Sequence, residues 1–422
     1  MRKNAKEIFF LICIPQFCNG IFPHSSLGSE QYFRNTLRLP LKPKTILLIL
    51  LLSAGFLSAQ NYNWVRHDSL VKAGINQIYG IELDKAEKTF DIISKEYSTH
   101  PSGKFFKAMI TWWRILLDLD NESMDDKFYD QLEEVIDQCD DILDENEKSV
   151  DALFFKGGAL GFRGQLLAIR ESWIKAALDG KDGLNMIFKS YSVNPQNVDV
   201  QLGFGIYHYY ADVIPKKFPA VKPFMTFFPK GDKERGIKEL ENVAWNGRYT
   251  RIEARSFLQK LLFQFEENME ESRKWGKVLL NDYPNNPYFQ KYYGASYIKE
   301  NNYPEACKTF RDIYNKCKLG LPGYNKRFER EATYYLGMDF LLKNKPDSSA
   351  FYFYKSEHLS WELDKGDESG WLINSVLFLG MMNDLMGKRD EAVKYYKQSI
   401  KLKDRNNSRE KAEEYLKKPY KK

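Results

Sequence analysis

Four groups of residues in this chain have types and spacings that could do chemistry. His208 stands in the run Gly203-Phe204-Gly205-Ile206-Tyr207-His208-Tyr209-Tyr210, with Asp212 and Asp232 downstream. An imidazole beside a carboxylate can relay a proton or hold a metal. Arg163, Arg170, Trp173 and Lys175, taken with Tyr207, His208 and Tyr210, include the Arg and aromatic types that dominate recognition surfaces. Gly157, Gly158, Gly161 and Gly164 could cradle a phosphate or let two helices touch backbone to backbone. Asp137, Asp140, Asp141 and Asp144 share one helical face and could meet calcium.

Each group also has a plainer reading. A lone histidine among aromatics is a hydrogen-bonded packing residue. The chain contains no HExxH and no GxSxG, and Gly203-Phe204-Gly205 lacks the third glycine and the strand of a dinucleotide site. The glycine ridge follows no strand and ends in no Gly-Lys-Ser/Thr, which excludes a P-loop. Each helical glycine costs about 1 kcal/mol relative to Ala, so a close helix contact must offset it. Reading from Asp118 or Asp144, neither frame has Gly at the sixth position or Glu at the twelfth, so the acidic residues read as a solvated face. The expectation is a chain that is not an enzyme and uses no cofactor or metal. Trp173 could equally be core, with the arginines paired to Glu171 and neighbouring acids.

The elements that must position these residues are helices. After residue 60 almost every segment is amphipathic, punctuated by Asn, Asp, Gly and Pro, with no strand alternation. One spacing recurs: Gly74–Ala86–Phe90, Gly294–Ala306–Phe310 and Gly380–Ala392–Tyr396. Glycine and alanine let two helices approach, and the aromatic fills the gap toward the next pair. Gly337 and Phe353 mark a degenerate copy with Ser349 at the Ala position. Pro287 opens a helix at its first turn, where proline is tolerated, and Pro284 closes the unit before it.

These units resemble the tetratricopeptide-repeat superfamily, bacterial exported type. The likeness is clear over 250–401, present over 66–98 and loose between. It implies an all-α, right-handed solenoid of antiparallel helix pairs, roughly ten from this length. It also implies a groove lined by first helices, where Tyr288, Lys291, Ala295 and Ile298 would stand. Ala295, and Leu377 and Met381 in the last unit, depart from the clamp that grips acidic C-termini. Pro229-Lys230-Gly231-Asp232-Lys233-Glu234-Arg235-Gly236 is similar to a motif of the inclusion-body-clearance and tetratricopeptide-repeat-39 family.

Charge divides unevenly. Residues 1–60 hold seven Lys or Arg and two acids, whereas the other 362 positions hold 56 basic and 55 acidic side chains. A nearly neutral body gives no electrostatic drive toward nucleic acid, so no nucleic-acid partner is expected. Lys42 and Lys44 precede an apolar run that closes at Ser58-Ala59-Gln60, the layout of a secretory signal. Residues 1–40 read as an upstream start or a dispensable extension. Gln60 stands where a lipoprotein needs Cys, and no integral membrane span is expected in the mature chain. Cys139, Cys307 and Cys317 form neither a disulfide framework nor a zinc pattern and read as small core hydrophobes.

The expected organisation is a leader over 1–60 with its apolar core at 46–59, then repeat-like helices over 61–151. A divergent middle follows over 152–246 with a Pro/Phe-rich insertion at 215–229. A repeat array covers 247–403, and a basic cap or tail covers 404–422. The expected function is a non-enzymatic scaffold binding a protein or peptide partner in the bacterial cell envelope. The alternative is a soluble carrier of a small apolar or glycan-like ligand in a pocket of the middle region. A closed apolar pocket there favours the carrier, and an open groove favours the scaffold.

Overall fold

The computed structural model describes residues 62–217, 219 and 229–421. The leader and residues 220–228 of the insertion lie outside them. The described residues form 17 α-helices and no strand. Pairs run α1 (Trp64–Tyr79) with α2 (Leu83–Glu96), α3 (Ser102–Leu117) with α4 (Asp125–Glu145), and α5 (Val150–Ile169) with α6 (Trp173–Val193). A 3-10 turn at Val198–Val200 leads into α7 (Gln201–Lys217) and α8 (Lys233–Asn246). Then come α9 (Arg251–Gln264) with α10 (Met269–Asp282), and α11 (Pro287–Lys299) with α12 (Tyr303–Lys318). The array ends with α13 (Lys326–Leu342) and α14 (Pro346–Leu363), α15 (Gly370–Leu385) and α16 (Arg389–Lys401), and a closing α17 (Ser408–Lys417).

The described residues thus give eight pairs and a closing helix, fewer than the roughly ten expected from length. The middle helices are long: α4, α5 and α6 run 21, 20 and 21 residues. Proline does not stop α7 at the start of the insertion. Pro215 lies two residues before the helix ends, where the lost donor costs one terminal bond.

Local chemistry sets the boundaries. Asn63, Ser149, Asp232, Asn286, Asn302 and Ser369 each cap a helix by accepting a backbone N–H in its first turn. The turn inside a pair uses one left-handed residue, at Ile81, Glu171, Glu267, Asn301, Asn344 and Gly387. Asn and Gly adopt that conformation cheaply.

The recurring spacing is visible as contact. A Cβ on Gly337 would lie 2.8 Å from the Phe353 ring and one on Gly294 would lie 3.1 Å from Phe310; Gly74 on Phe90 and Gly380 on Tyr396 are closer still. Each aromatic then reaches the first helix of the next pair: Phe90 to Phe106 at 5.1 Å, Phe310 to Tyr335 at 4.5 Å, Phe353 to Phe378 at 5.0 Å. Ser349 keeps the Ala position by donating its hydroxyl to the Gly337 carbonyl at 2.9 Å. The architecture is a tetratricopeptide-like helical-repeat solenoid.

The solenoid curls until its first pairs meet its later ones. Tyr79 packs on Tyr283 and Phe289 at 5.9 and 6.3 Å, and Trp113 packs on Tyr288 and Phe289 at 5.8 and 5.7 Å. Asn325 donates to the Leu117 carbonyl at 2.8 Å, and Arg327 pairs with Asp118 and Asp120. The inner faces of α1 and α3 therefore cover part of the inner face of α9 to α13. The continuous open groove that the repeat alone suggests is interrupted by this packing, which leaves a partly open lumen between the pairs.

Candidate functional site

The lumen holds a cavity of about 270 Å³. First helices of five successive pairs wall it: α1, α3, α5, α7 and α9, with α6 completing one side. The walls are aromatic and aliphatic: Phe105, Phe106, Trp112 and Trp113 from α3, Tyr207 and Tyr210 from α7, Phe257 from α9. The volume exceeds the roughly 150 Å³ dry cavity that admits benzene.

Glycine shapes the α5–α6 wall. A Cβ on Gly157 would lie 3.1 Å from the Gly183 carbonyl oxygen, and one on Gly183 would lie 3.0 Å from that of Gly157. Gly164 meets the Ala176 carbonyl in the same way at 3.1 Å. These glycines let α5 and α6 touch backbone to backbone, which offsets their cost in helix propensity. Gly161 differs. It borders the cavity, and a Cβ there would meet nothing within 4 Å.

Few polar groups enter this space. The Asp199 Oδ1 accepts from the Tyr249 and Thr250 backbone N–H groups, both at 3.0 Å, and from the Thr250 hydroxyl at 2.7 Å. The Tyr79 hydroxyl donates to Glu253 Oε2 at 2.8 Å. Burial pushes the Glu253 carboxyl above its ordinary value, against the opposing effects of the Tyr79 hydrogen bond and Lys260. Burial also raises the phenol of Tyr207 to about 12 and that of Tyr210 further, so both are neutral at physiological pH.

The residues proposed from sequence do not gather in one groove. Arg163 forms a double hydrogen bond with Asp179, at 2.7 and 2.8 Å, and also pairs with Glu133. Arg170 pairs with Asp125 and donates to the Leu119 carbonyl at 2.7 Å. Trp173 opens α6 partly exposed, and Lys175 is exposed. Tyr207 and Tyr210 do meet, at the cavity wall, with the Tyr207 hydroxyl donating to the Pro229 carbonyl at 2.6 Å. Tyr288 is buried against Trp113, and Lys291 pairs with Glu331 at 3.3 Å.

His208 pairs with neither acid weighed for it. Its Nδ1 lies 2.6 Å from Glu239 Oε2, while Asp212 binds Lys216 at 2.7 Å and Asp232 caps α8. Glu239 is one and three-quarter turns into α8, so only the α7–α8 packing reveals it.

A second constellation brings distant histidines together. Ser102 Oγ lies 2.8 Å from both His67 Nε2 and His100 Nδ1, and His100 Nε2 lies 3.4 Å from Asp151. The components are those of a nucleophilic triad. Ser102 is 0% exposed and held between two imidazoles, so no substrate carbonyl can approach it. It is a buried network tying α1 to α3.

Sequence reasoning missed Glu253 and Trp113 as cavity residues. The available signal was a carboxylate on the same α9 face as Phe257, one turn on.

No family model matches the chain, and no curated protein matches it. Among solved structures the chain is similar to human IFIT1, seen as a dimer with PPP-AAAA, at 12% identity, over 79% of this chain and 93% of that one, TM-score 0.31. It is similar to the P58(IPK) TPR domain at 13% identity, over 84% and 99%, TM-score 0.23. It is similar to the Cut9–Hcn1 hetero-tetramer of APC/C at 12% identity, over 90% and 93%, TM-score 0.22. At such low scores the architecture stands on the helix packing of the chain itself.

Proposed function

We propose that this chain is an exported, non-enzymatic carrier that holds a small apolar molecule in the lumen of its solenoid. One observation carries the reading: the about 270 Å³ cavity among α1, α3, α5, α6, α7 and α9, walled by aromatic side chains and a glycine ridge. Such a site binds by burying apolar ligand surface, with a few polar groups fixing orientation. The same curling that forms the lumen also takes up part of the concave face a peptide would use.

The test is binding of neopentylbenzene, a neutral aromatic hydrocarbon, by calorimetry or ligand-observed NMR. Gly161→Trp places an indole in open space and should abolish binding while circular dichroism and Tm stay close to the parent. Equal binding by the variant overturns the reading.

The leader supports export to a bacterial periplasm or outer envelope. Chain recovered from envelope fractions should begin at or near Gln60. Recovery of an unprocessed chain from the cytoplasm overturns that part.

Partner binding in the C-terminal array is a second reading. Phe351, Tyr354 and Trp361 fall at i, i+3 and i+10 on α14 and are 54%, 56% and 48% exposed. A crosslinked protein partner that is lost on Tyr354→Ala and Trp361→Ala, with unchanged neopentylbenzene binding, supports this reading. A partner retained by both variants removes it.

A further inference from the structure

The polar groups of the cavity are one-sided in charge. Its lining includes two carboxylates, Asp199 and Glu253, and no Lys, Arg or His among the described residues. Asp199 is spent on backbone: its Oδ1 already accepts three hydrogen bonds from residues 249 and 250. Glu253 is not. Its Oε2 accepts from Tyr79, while no hydrogen bond within the described residues reaches Oε1.

Aromatic rings surround this carboxyl. Tyr79 bonds it directly, Trp113 stands edge-on to Tyr79 at 5.2 Å, and Phe257 follows Glu253 by one helical turn. Ring faces carry negative potential and attract a desolvated cation, most strongly where a carboxylate stands beside them. The cation that acts on Glu253 is Lys260, whose Nζ lies 5.3 Å from the Phe257 ring centre and 5.8 Å from that of Tyr288. It lies outside the cavity lining. An apolar cavity thus presents one acceptor for positive charge, with Lys260 acting on it from outside the lining.

We propose that the ligand is a lipophilic amine or quaternary ammonium compound, its cationic group seated at Glu253 beside Tyr79, Trp113 and Phe257. The inference rests on the cavity reading above and narrows it to a chemical class. A ligand cation seated at the carboxyl adds to the counter-charge that Lys260 gives Glu253, so binding and ionisation of the carboxyl reinforce each other. The apolar remainder of the ligand fills the space in front of Gly161.

Benzyltrimethylammonium and neopentylbenzene have the same shape and differ in carrying N⁺ or C at one atom. The full chain should bind the cation at least about tenfold more tightly than the hydrocarbon. Glu253→Gln should erase that preference, bringing the two affinities together, while Gly161→Trp should lose both ligands. The comparison on the parent protein needs no variant to fold. If the hydrocarbon binds as tightly as the cation or tighter, and Gly161→Trp abolishes it, the amine inference is overturned and the cavity reading stands. A preference for the cation that Glu253→Gln retains also overturns it. If neither probe binds the parent protein, both readings fall.

Discussion

Asn286 donates its side-chain amide to the Tyr79 carbonyl at 2.9 Å, across 207 residues of sequence. The same side chain caps α11, its oxygen accepting from Tyr288 and Phe289 N–H at 3.0 and 3.3 Å. One fully buried residue therefore starts a helix of the array and fastens the end of α1 to it. The neighbouring Tyr283 hydroxyl donates to Asn76 at 2.7 Å and reinforces the joint. These contacts turn an extended stack into a curled one, and the lumen depends on them.

Removing the Asn286 amide should accordingly cost more than a cap alone. Asn286→Ala loses a capping interaction of about 1 kcal/mol and strands a buried carbonyl at about 1–3 kcal/mol, so a loss of about 2–4 kcal/mol is expected. Asn286→Asp keeps the cap acceptor but sets a buried carboxylate against the Tyr79 carbonyl, so it is no milder than Ala. Urea unfolding should place both variants below the parent. Stability equal to the parent in Asn286→Ala would show that the joint contributes nothing.

The glycines divide into two kinds with opposite responses to a methyl group. A Cβ on Gly74 would strike the Phe90 ring and one on Gly337 would strike Phe353. Gly74→Ala should therefore destabilise by about 1–3 kcal/mol through overpacking. Gly161 has room, so Gly161→Ala should gain about 0.5–1 kcal/mol from helix propensity. Thermal or urea unfolding of the two variants should move in opposite directions, and a shared sign would refute the assignment.

That contrast also shows what the sequence carried. The Gly74–Phe90 and Gly380–Tyr396 spacings are local, sixteen residues each within one helix pair, so the pairing could be read directly. The tight α5–α6 contact was legible for the same reason, since four glycines in one helix require a close neighbour. The joint between Tyr79 and Asn286 leaves no such mark, because the curvature that brings them together is the sum of many small rotations between pairs. Glu253 was hidden likewise. Its cavity is assembled from six helices, and one acid in an amphipathic helix looks like surface until the other five are in place. His208 was recognisable as a packing residue, but its partner Glu239 lies on the next helix and was not.

Buried His67 makes stability depend on pH. Burial first, and the charge of His100 second, lower its imidazole to about 4 from an ordinary 6.5. Below 6.5 the unfolded chain binds a proton that the folded chain refuses, so this group costs stability as pH falls from 6.5 to about 4. The full effect is on the order of 3 kcal/mol. Urea midpoints of the parent should drop across that window, and those of His67→Gln should drop less. Parallel pH profiles for the two proteins would rule out His67 as the source.

The three cysteines of the body should be inert in the folded chain. Cys139 and Cys307 are buried, Cys317 is half-buried, and none is bridged. Burial is the first cause in each case and pushes all three thiols to about 12. At pH 8 the thiolate fraction of such a group is about one in ten thousand, against roughly a quarter for an ordinary exposed cysteine. Labelling by a thiol reagent must therefore wait for local opening. Mass spectrometry that resolves each site should find slow modification at Cys139, Cys307 and Cys317 in native buffer and fast modification of all three in concentrated urea. Cys317 should be the first to react as denaturant rises, because it keeps partial exposure and lies in the last turn of α12, where fraying costs least. Rapid native labelling at Cys139 would mean that the α3–α4 and α5–α6 pairs open readily, which a cavity walled by those helices does not allow.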